Sequence, residues 1–159
     1  MLAAAAGTLL LAGCKGLTAL GPVPVPGADV GTLRTAIADE ELLMARYQAA
    51  LSALNATPAV DSLVRSVLAE HHDHRDRLRA RLILPGGTAI GSASPSPTVP
   101  PVPAGRRQLL AELAAAEHAA AHRLTRQLIG MPPATAQLMA SISASEASHV
   151  VVLGQARRV

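Results

Sequence analysis

An all-α fold, built as a four-helix bundle, is predicted by two features of the sequence. Four stretches of the chain repeat apolar residues at the three- and four-residue spacing of one helix face. The composition is 50% hydrophobic but only 1% aromatic, so the core must consist of Ala, Leu, Val, Ile and Met. These compact side chains allow helices to pack closely. A chain of 159 residues is long enough for one such domain.

The amino terminus begins with an apolar run, MLAAAAGTLLLAGC, whose last letter is Cys14. The ending LAGC resembles the lipobox of bacterial lipoproteins, in which cleavage precedes a cysteine that is then lipidated. The resemblance implies that residues 1–13 are a signal peptide and that residues 14–28 are a flexible tether. It also implies that the lipid on Cys14 anchors the protein at the extracytoplasmic face of the cell membrane. No Lys or Arg precedes the run, which departs from the usual pattern, and the alternative is a disordered Ala-rich leader.

The folded domain is predicted to span residues 29–156. Its four helices are expected near residues 29–55, 58–84, 104–130 and 133–156. Short turns join the first helix to the second and the third to the fourth. Each turn delivers a proline, Pro58 or Pro133, to the first position of the next helix, where the missing N–H costs nothing. Helices joined by such short turns run antiparallel.

A long crossover, residues 85–104, separates the second helix from the third. It is rich in Gly, Ser and Pro and has no helical period. A helix of about 25 residues is about 37 Å long, and about 20 extended residues at about 3 Å each can cover that length. The chain can therefore return to the far end of the bundle, so that the second and third helices run parallel. The alternative is two helical hairpins joined by a loose linker.

Each predicted helix also carries one glutamate on or beside its apolar stripe, near the middle of the helix. These acids are Glu40 in the first helix, Glu70 beside the stripe of the second, Glu117 in the third and Glu146 in the fourth. The fourth helix adds His149, three residues after its acid and so on the same face. A buried, unpaired carboxylate costs several kcal/mol, so these acids need partners.

This arrangement resembles the ferritin-like superfamily, in which two helices each supply a Glu and two supply a Glu-x-x-His pair to a di-metal centre. With its leader and Pro-rich crossover, the chain more narrowly resembles an uncharacterised family of exported ferritin-like lipoproteins of high-GC bacteria. The resemblance implies two iron or manganese ions held by carboxylates and imidazoles. The candidate ligands that it implies are Glu40, Glu70, His74, Glu117, Glu146 and His149.

The second helix departs from that pattern. The position three residues after Glu70 holds Asp73 instead of a histidine. His74 lies one helical turn from Glu70 and can reach the same ion. In the other interpretation, His71 and His74 are the ligands and Glu70 is not.

Two functional hypotheses follow. The first is an exported, lipid-anchored ferritin-like domain whose di-metal carboxylate site is degenerate or non-catalytic. The alternative is a di-iron or di-manganese protein that handles Fe²⁺ or peroxide at the cell envelope. The sequence does not decide whether the protein is an enzyme. If Glu117 is a ligand crowded among other acids, its pKa should be raised; if it is a structural acid, it should pair with a neighbouring His or Arg.

Other features carry less weight. The net charge of +3 permits an anionic partner, but nucleic-acid binding would need stacking aromatics or a recognised module, so none is predicted. His118 and His122 are either partners of a ligand or an exposed pair. Tyr47 is interpreted as a core tyrosine with a bonded hydroxyl. A homodimer is compatible with the sequence.

Overall fold

The fold is an all-α four-helix bundle, as the sequence predicts. The computed structural model describes residues 29–53, 57–82 and 97–158. Its helices are α1 (Val30–Ala53), α2 (Pro58–Leu82), α3 (Arg106–Gln127) and α4 (Pro133–Ala156), and the described residues contain no strand. These bounds lie within a few residues of those expected. The predicted leader, Cys14, the tether and the first part of the crossover lie outside the described residues.

Local sequence accounts for where the helices begin. Pro58 and Pro133 are the first residues of α2 and α4, where a fixed proline φ suits the helix. Between α3 and α4 the chain turns at Gly130, whose φ of 78° lies in the left-handed region that glycine enters at little steric cost. The short turn makes α3 and α4 antiparallel neighbours.

Two apolar clusters fill the bundle, one toward each end. We name them the Tyr47 cluster and the Leu33 cluster. The Tyr47 cluster comprises Tyr47, Ala50, Val60, Val64, Val67, Leu109, Leu110, Leu113 and Leu153. The Leu33 cluster comprises Leu33, Ala36, Ile37, Leu78, Leu124, Met139 and Ile142. The amino-terminal halves of α2 and α3 both contribute to the Tyr47 cluster, so these two helices run parallel, as a long crossover requires.

The described end of the crossover lies against the bundle. Residues 97–103 form no helix, and Val102 packs against the Tyr47 cluster. Among the helices of the described residues, none is both long enough and apolar enough to cross a bilayer.

Candidate metal centre

The inward polar residues of all four helices meet near the middle of the bundle. This level lies between the Tyr47 cluster and the Leu33 cluster, so apolar side chains shield it on both sides. Six titratable residues there are each at most 7% exposed, and we call them the central cluster: Glu40, His71, His74, Glu117, Glu146 and His149.

His71 lies in the middle of this cluster, between two carboxylates. Its Nδ1 is 2.8 Å from Oε2 of Glu40, and its Nε2 is 2.8 Å from Oε1 of Glu117. Burial alone would lower the pKa of His71, but hydrogen bonds to Glu117 and Glu40 raise it to about 10. The ring is therefore an imidazolium in this arrangement, and each N–H donates to a carboxylate. One side chain thus ties α2 to both α1 and α3.

Glu117 accepts hydrogen bonds from three side chains. Besides His71, Nδ1 of His149 lies 3.3 Å from Oε2, and the buried hydroxyl of Tyr47 donates to Oε1. Burial alone would raise the pKa of Glu117, but hydrogen bonds from His149 and His71 lower it to about 2. The expectation that crowding raises this pKa is therefore wrong for Glu117. Burial and the adjacent Glu117 carboxylate raise the pKa of Tyr47, so its hydroxyl stays protonated and donates.

The network reaches the protein surface through Glu70. Oε2 of Glu70 lies 3.0 Å from Nε2 of His149 and accepts a hydrogen bond from Ser145. The Glu70 side chain is 49% exposed. The hydrogen bond from His149 lowers the pKa of the Glu70 carboxyl. Burial alone would lower the pKa of His149, but its hydrogen bonds to Glu117 and Glu70 raise it.

Two surface ion pairs flank Glu40 on α1. Asp39 accepts from Nε of Arg123 on α3 at 2.9 Å, and Glu41 pairs with Arg79 on α2. Such pairs are worth about 1 kcal/mol or less each. They add little to the burial of the apolar face of α1, which is the face that carries Glu40 into the bundle.

Two atoms of the central cluster are buried without a hydrogen-bond partner in the described part of the chain: Oε2 of Glu146 and Nδ1 of His74. Nδ1 of His74 lies 3.5 Å from Oε1 of Glu40, without hydrogen-bond geometry. Burial, together with the charges of Glu40 and Glu117, raises the pKa of Glu146 to about 9. Buried polar atoms are nearly always bonded, so both atoms require an explanation.

The central cluster contains two sets of three converging ligand atoms. One set is Glu40, His71 and His74; the other is His71, Glu117 and His149. Within each set, the ligand atoms all lie within 4.8 Å of one another. Carboxylate and imidazole donors together suit iron, manganese and zinc. A cation in the first set would also supply the partner that Nδ1 of His74 lacks, so these residues fit a divalent transition metal. Glu146 belongs to neither set.

The structure brings together five of the six candidate ligands predicted from the sequence, namely Glu40, His74, Glu117, Glu146 and His149. Glu70 lies at the rim and contacts the cluster only through His149. On α2, the inward pair is His71 and His74, which is the second of the two interpretations of that helix. His71 was not among the six candidates, although its place on the apolar stripe of α2 is the signal that identifies it. His118 and His122 are exposed on α3, with their rings stacked 6.5 Å apart.

Comparison with protein-family models, with curated proteins and with solved structures found no match to this chain.

Two of the three buried carboxyls, Glu146 and Glu117, should respond differently to substitution in the metal-free chain. The pKa of Glu146 rises from 4.5 to about 9 on folding, so its contribution to stability is present below pH 4.5 and is lost as the pH rises toward 9. The equivalent loss from His71 begins only above 6.5. We therefore expect wild type to lose free energy of unfolding relative to Glu146→Gln as the pH rises from 4.5 to 6.5, because the other titrating groups are common to both proteins. Urea unfolding across this range measures the difference.

Glu117→Leu provides the contrasting variant. It removes the acceptor of His71, His149 and Tyr47, and stranding a buried charge in this way costs about 3–5 kcal/mol. Glu112→Gln, on the exposed face of the same helix, is the control and should change stability by no more than about 0.5 kcal/mol.

The Glu146 test has its own contradicting outcome. If the free energy of unfolding changes with pH equally in wild type and in Glu146→Gln, Glu146 is not the unpaired acid.

Proposed function

We propose that the chain is a ferritin-like, metal-binding bundle of the cell envelope. In this proposal, the central cluster holds a divalent transition-metal cation, iron or manganese. A lipid on Cys14 keeps the domain at the extracytoplasmic face of the membrane. The observation that carries the proposal is the two sets of converging, buried ligand atoms in the central cluster, together with the unpartnered Nδ1 of His74.

We propose binding without turnover. A bound iron or manganese ion supplies redox chemistry toward oxygen or peroxide when its coordination sphere has open positions. In this chain, α2 offers the imidazoles of His71 and His74, whereas a symmetric di-metal carboxylate centre takes a Glu-x-x-His pair there. The hydroxyl of Tyr47 is held by Glu117, and the two apolar clusters exclude water from both sides. A four-helix fold alone does not establish an activity.

A metal-free interaction module is the second candidate. One observation favours it: His71 already satisfies both of its nitrogens with Glu40 and Glu117. The centre can therefore close as a buried ion-pair network that ties three helices together. In this version Glu146 stays protonated, because burial and the neighbouring carboxylates raise its pKa to about 9.

Thermal melts with and without metal distinguish the two candidates. The full chain, purified in mild detergent and freed of metal, should melt at a higher temperature when Mn²⁺ or anaerobic Fe²⁺ is added, because only the folded state binds. The stabilisation should approach about 2.7 kcal/mol at a hundredfold excess of metal over Kd. His74→Ala should abolish the shift. The control, His118→Ala on the exposed face of α3, should retain it.

A wild-type melt that ignores both metals would instead support the metal-free module. Elemental analysis of the chain as purified gives an independent reading, because a resident metal should survive dialysis at a near-stoichiometric amount.

Membrane anchoring is tested separately, at Cys14. Wild type should partition with membranes and carry a lipid mass on the peptide that begins at Cys14. Cys14→Ser should lose the lipid and either stay unprocessed or leave the membrane fraction. Thr18→Ser, in the proposed tether, is the control and should behave as wild type does. If wild type and Cys14→Ser are both found in the soluble cytosolic fraction, Cys14 does not anchor the protein.

A further inference from the structure

Apart from Glu146, which belongs to neither set of ligand atoms, the central cluster is divided by His71 into two halves. On the Nδ1 side lie Glu40, at 2.8 Å, and His74, whose Nδ1 is 3.5 Å from the Glu40 carboxylate. On the Nε2 side lie Glu117, at 2.8 Å, and His149, whose Nδ1 is 3.3 Å from the Glu117 carboxylate. Each half therefore has one carboxylate, one imidazole of its own and one nitrogen of the His71 ring. We call them the Glu40 half and the Glu117 half.

A neutral imidazole cannot serve both halves at once. It has one N–H and one lone pair, so a nitrogen that binds a cation leaves the proton on the other nitrogen. That N–H must then donate to the carboxylate of the opposite half. A carboxylate differs in this respect, because its two oxygens can each bind a separate cation.

The two halves also differ in how fully their donors are used. In the Glu117 half, the carboxylate already accepts from His71, His149 and Tyr47, and His149 is bonded on its other side to Glu70. In the Glu40 half, Nδ1 of His74 has no hydrogen-bond partner among the described residues. A cation entering the Glu40 half displaces one hydrogen bond, whereas a cation entering the Glu117 half displaces several.

We propose that the centre takes one divalent cation per chain, in the Glu40 half, bound by Glu40, His71 and His74. The N–H at Nε2 of His71 continues to donate to Glu117, and this bond keeps a second ion out of the Glu117 half. This inference rests on the proposed metal-binding function. It replaces the expected pair of bridged ions with a single ion beside a structural hydrogen-bond network.

The test is a Mn²⁺ titration of the full chain, followed by calorimetry and by electron paramagnetic resonance. Wild type should bind one Mn²⁺ per chain and show the hyperfine-split signal of an isolated ion. His74→Ala should lose binding, whereas His149→Ala should still bind one ion. Two ions in wild type, or binding that survives His74→Ala but not His149→Ala, would overturn the inference and leave the metal-binding function standing. The absence of any Mn²⁺ binding would overturn both.

A variant that should bind more Mn²⁺ ions per chain gives the most decisive test. His71→Glu introduces a carboxylate that can serve both halves, so the variant should bind two ions whose spins are coupled. His72→Glu, one position further along α2, adds the same charge outside the central cluster and should still bind one. A folded His71→Glu protein, as judged by its helical circular dichroism, that binds a single ion would contradict the lone-pair argument. If His71→Glu does not fold, the His74 and His149 variants decide the outcome.

Discussion

The imidazolium of His71, held between the carboxylates of Glu40 and Glu117, is the contact on which the rest of the centre depends. It joins α1, α2 and α3 at the level of the buried acids and histidines. A core with almost no aromatic side chains has little else to fix the register of three helices there. The contact also sets the properties of its neighbours. With His149 it lowers the pKa of Glu117 and keeps that acid ionised, while burial and the charges of Glu40 and Glu117 raise the pKa of Glu146 and hold it protonated.

The sequence predicted the bundle well because helix periodicity and turn chemistry are local. The apolar spacing located all four helices, and Pro58 and Pro133 are themselves the first residues of α2 and α4. The same periodicity brought Glu40, Glu117, Glu146 and His149 to one level. It also put His71 on the apolar stripe of α2 and Glu70 beside it, and only the ferritin-like pattern favoured Glu70 as a ligand. Packing follows the periodicity, because α2 buries the imidazole and leaves the carboxylate half exposed at the rim.

The ionisation of the buried acids could not be predicted from the sequence, for a different reason. Glu117 and Glu146 occupy equivalent places on the stripes of α3 and α4, yet their pKa values move in opposite directions, to about 2 and about 9. The difference comes from partners on other helices, since Glu117 meets His71, His149 and Tyr47 while Oε2 of Glu146 meets no donor in the described residues. A satisfied hydrogen-bond network and a set of donors that could hold a metal ion therefore coexist in one cluster.

The most direct measurement of the central claim is the protonation of His71 in the metal-free chain, read by ¹⁵N nuclear magnetic resonance. At pH ~8, where an ordinary histidine is neutral, the account predicts that both ring nitrogens of His71 are protonated and that their N–H protons exchange slowly. Free histidine in the same buffer provides the neutral reference. A His71 ring with one bare nitrogen at this pH would contradict the account, because the ring would then be paired with only one carboxylate.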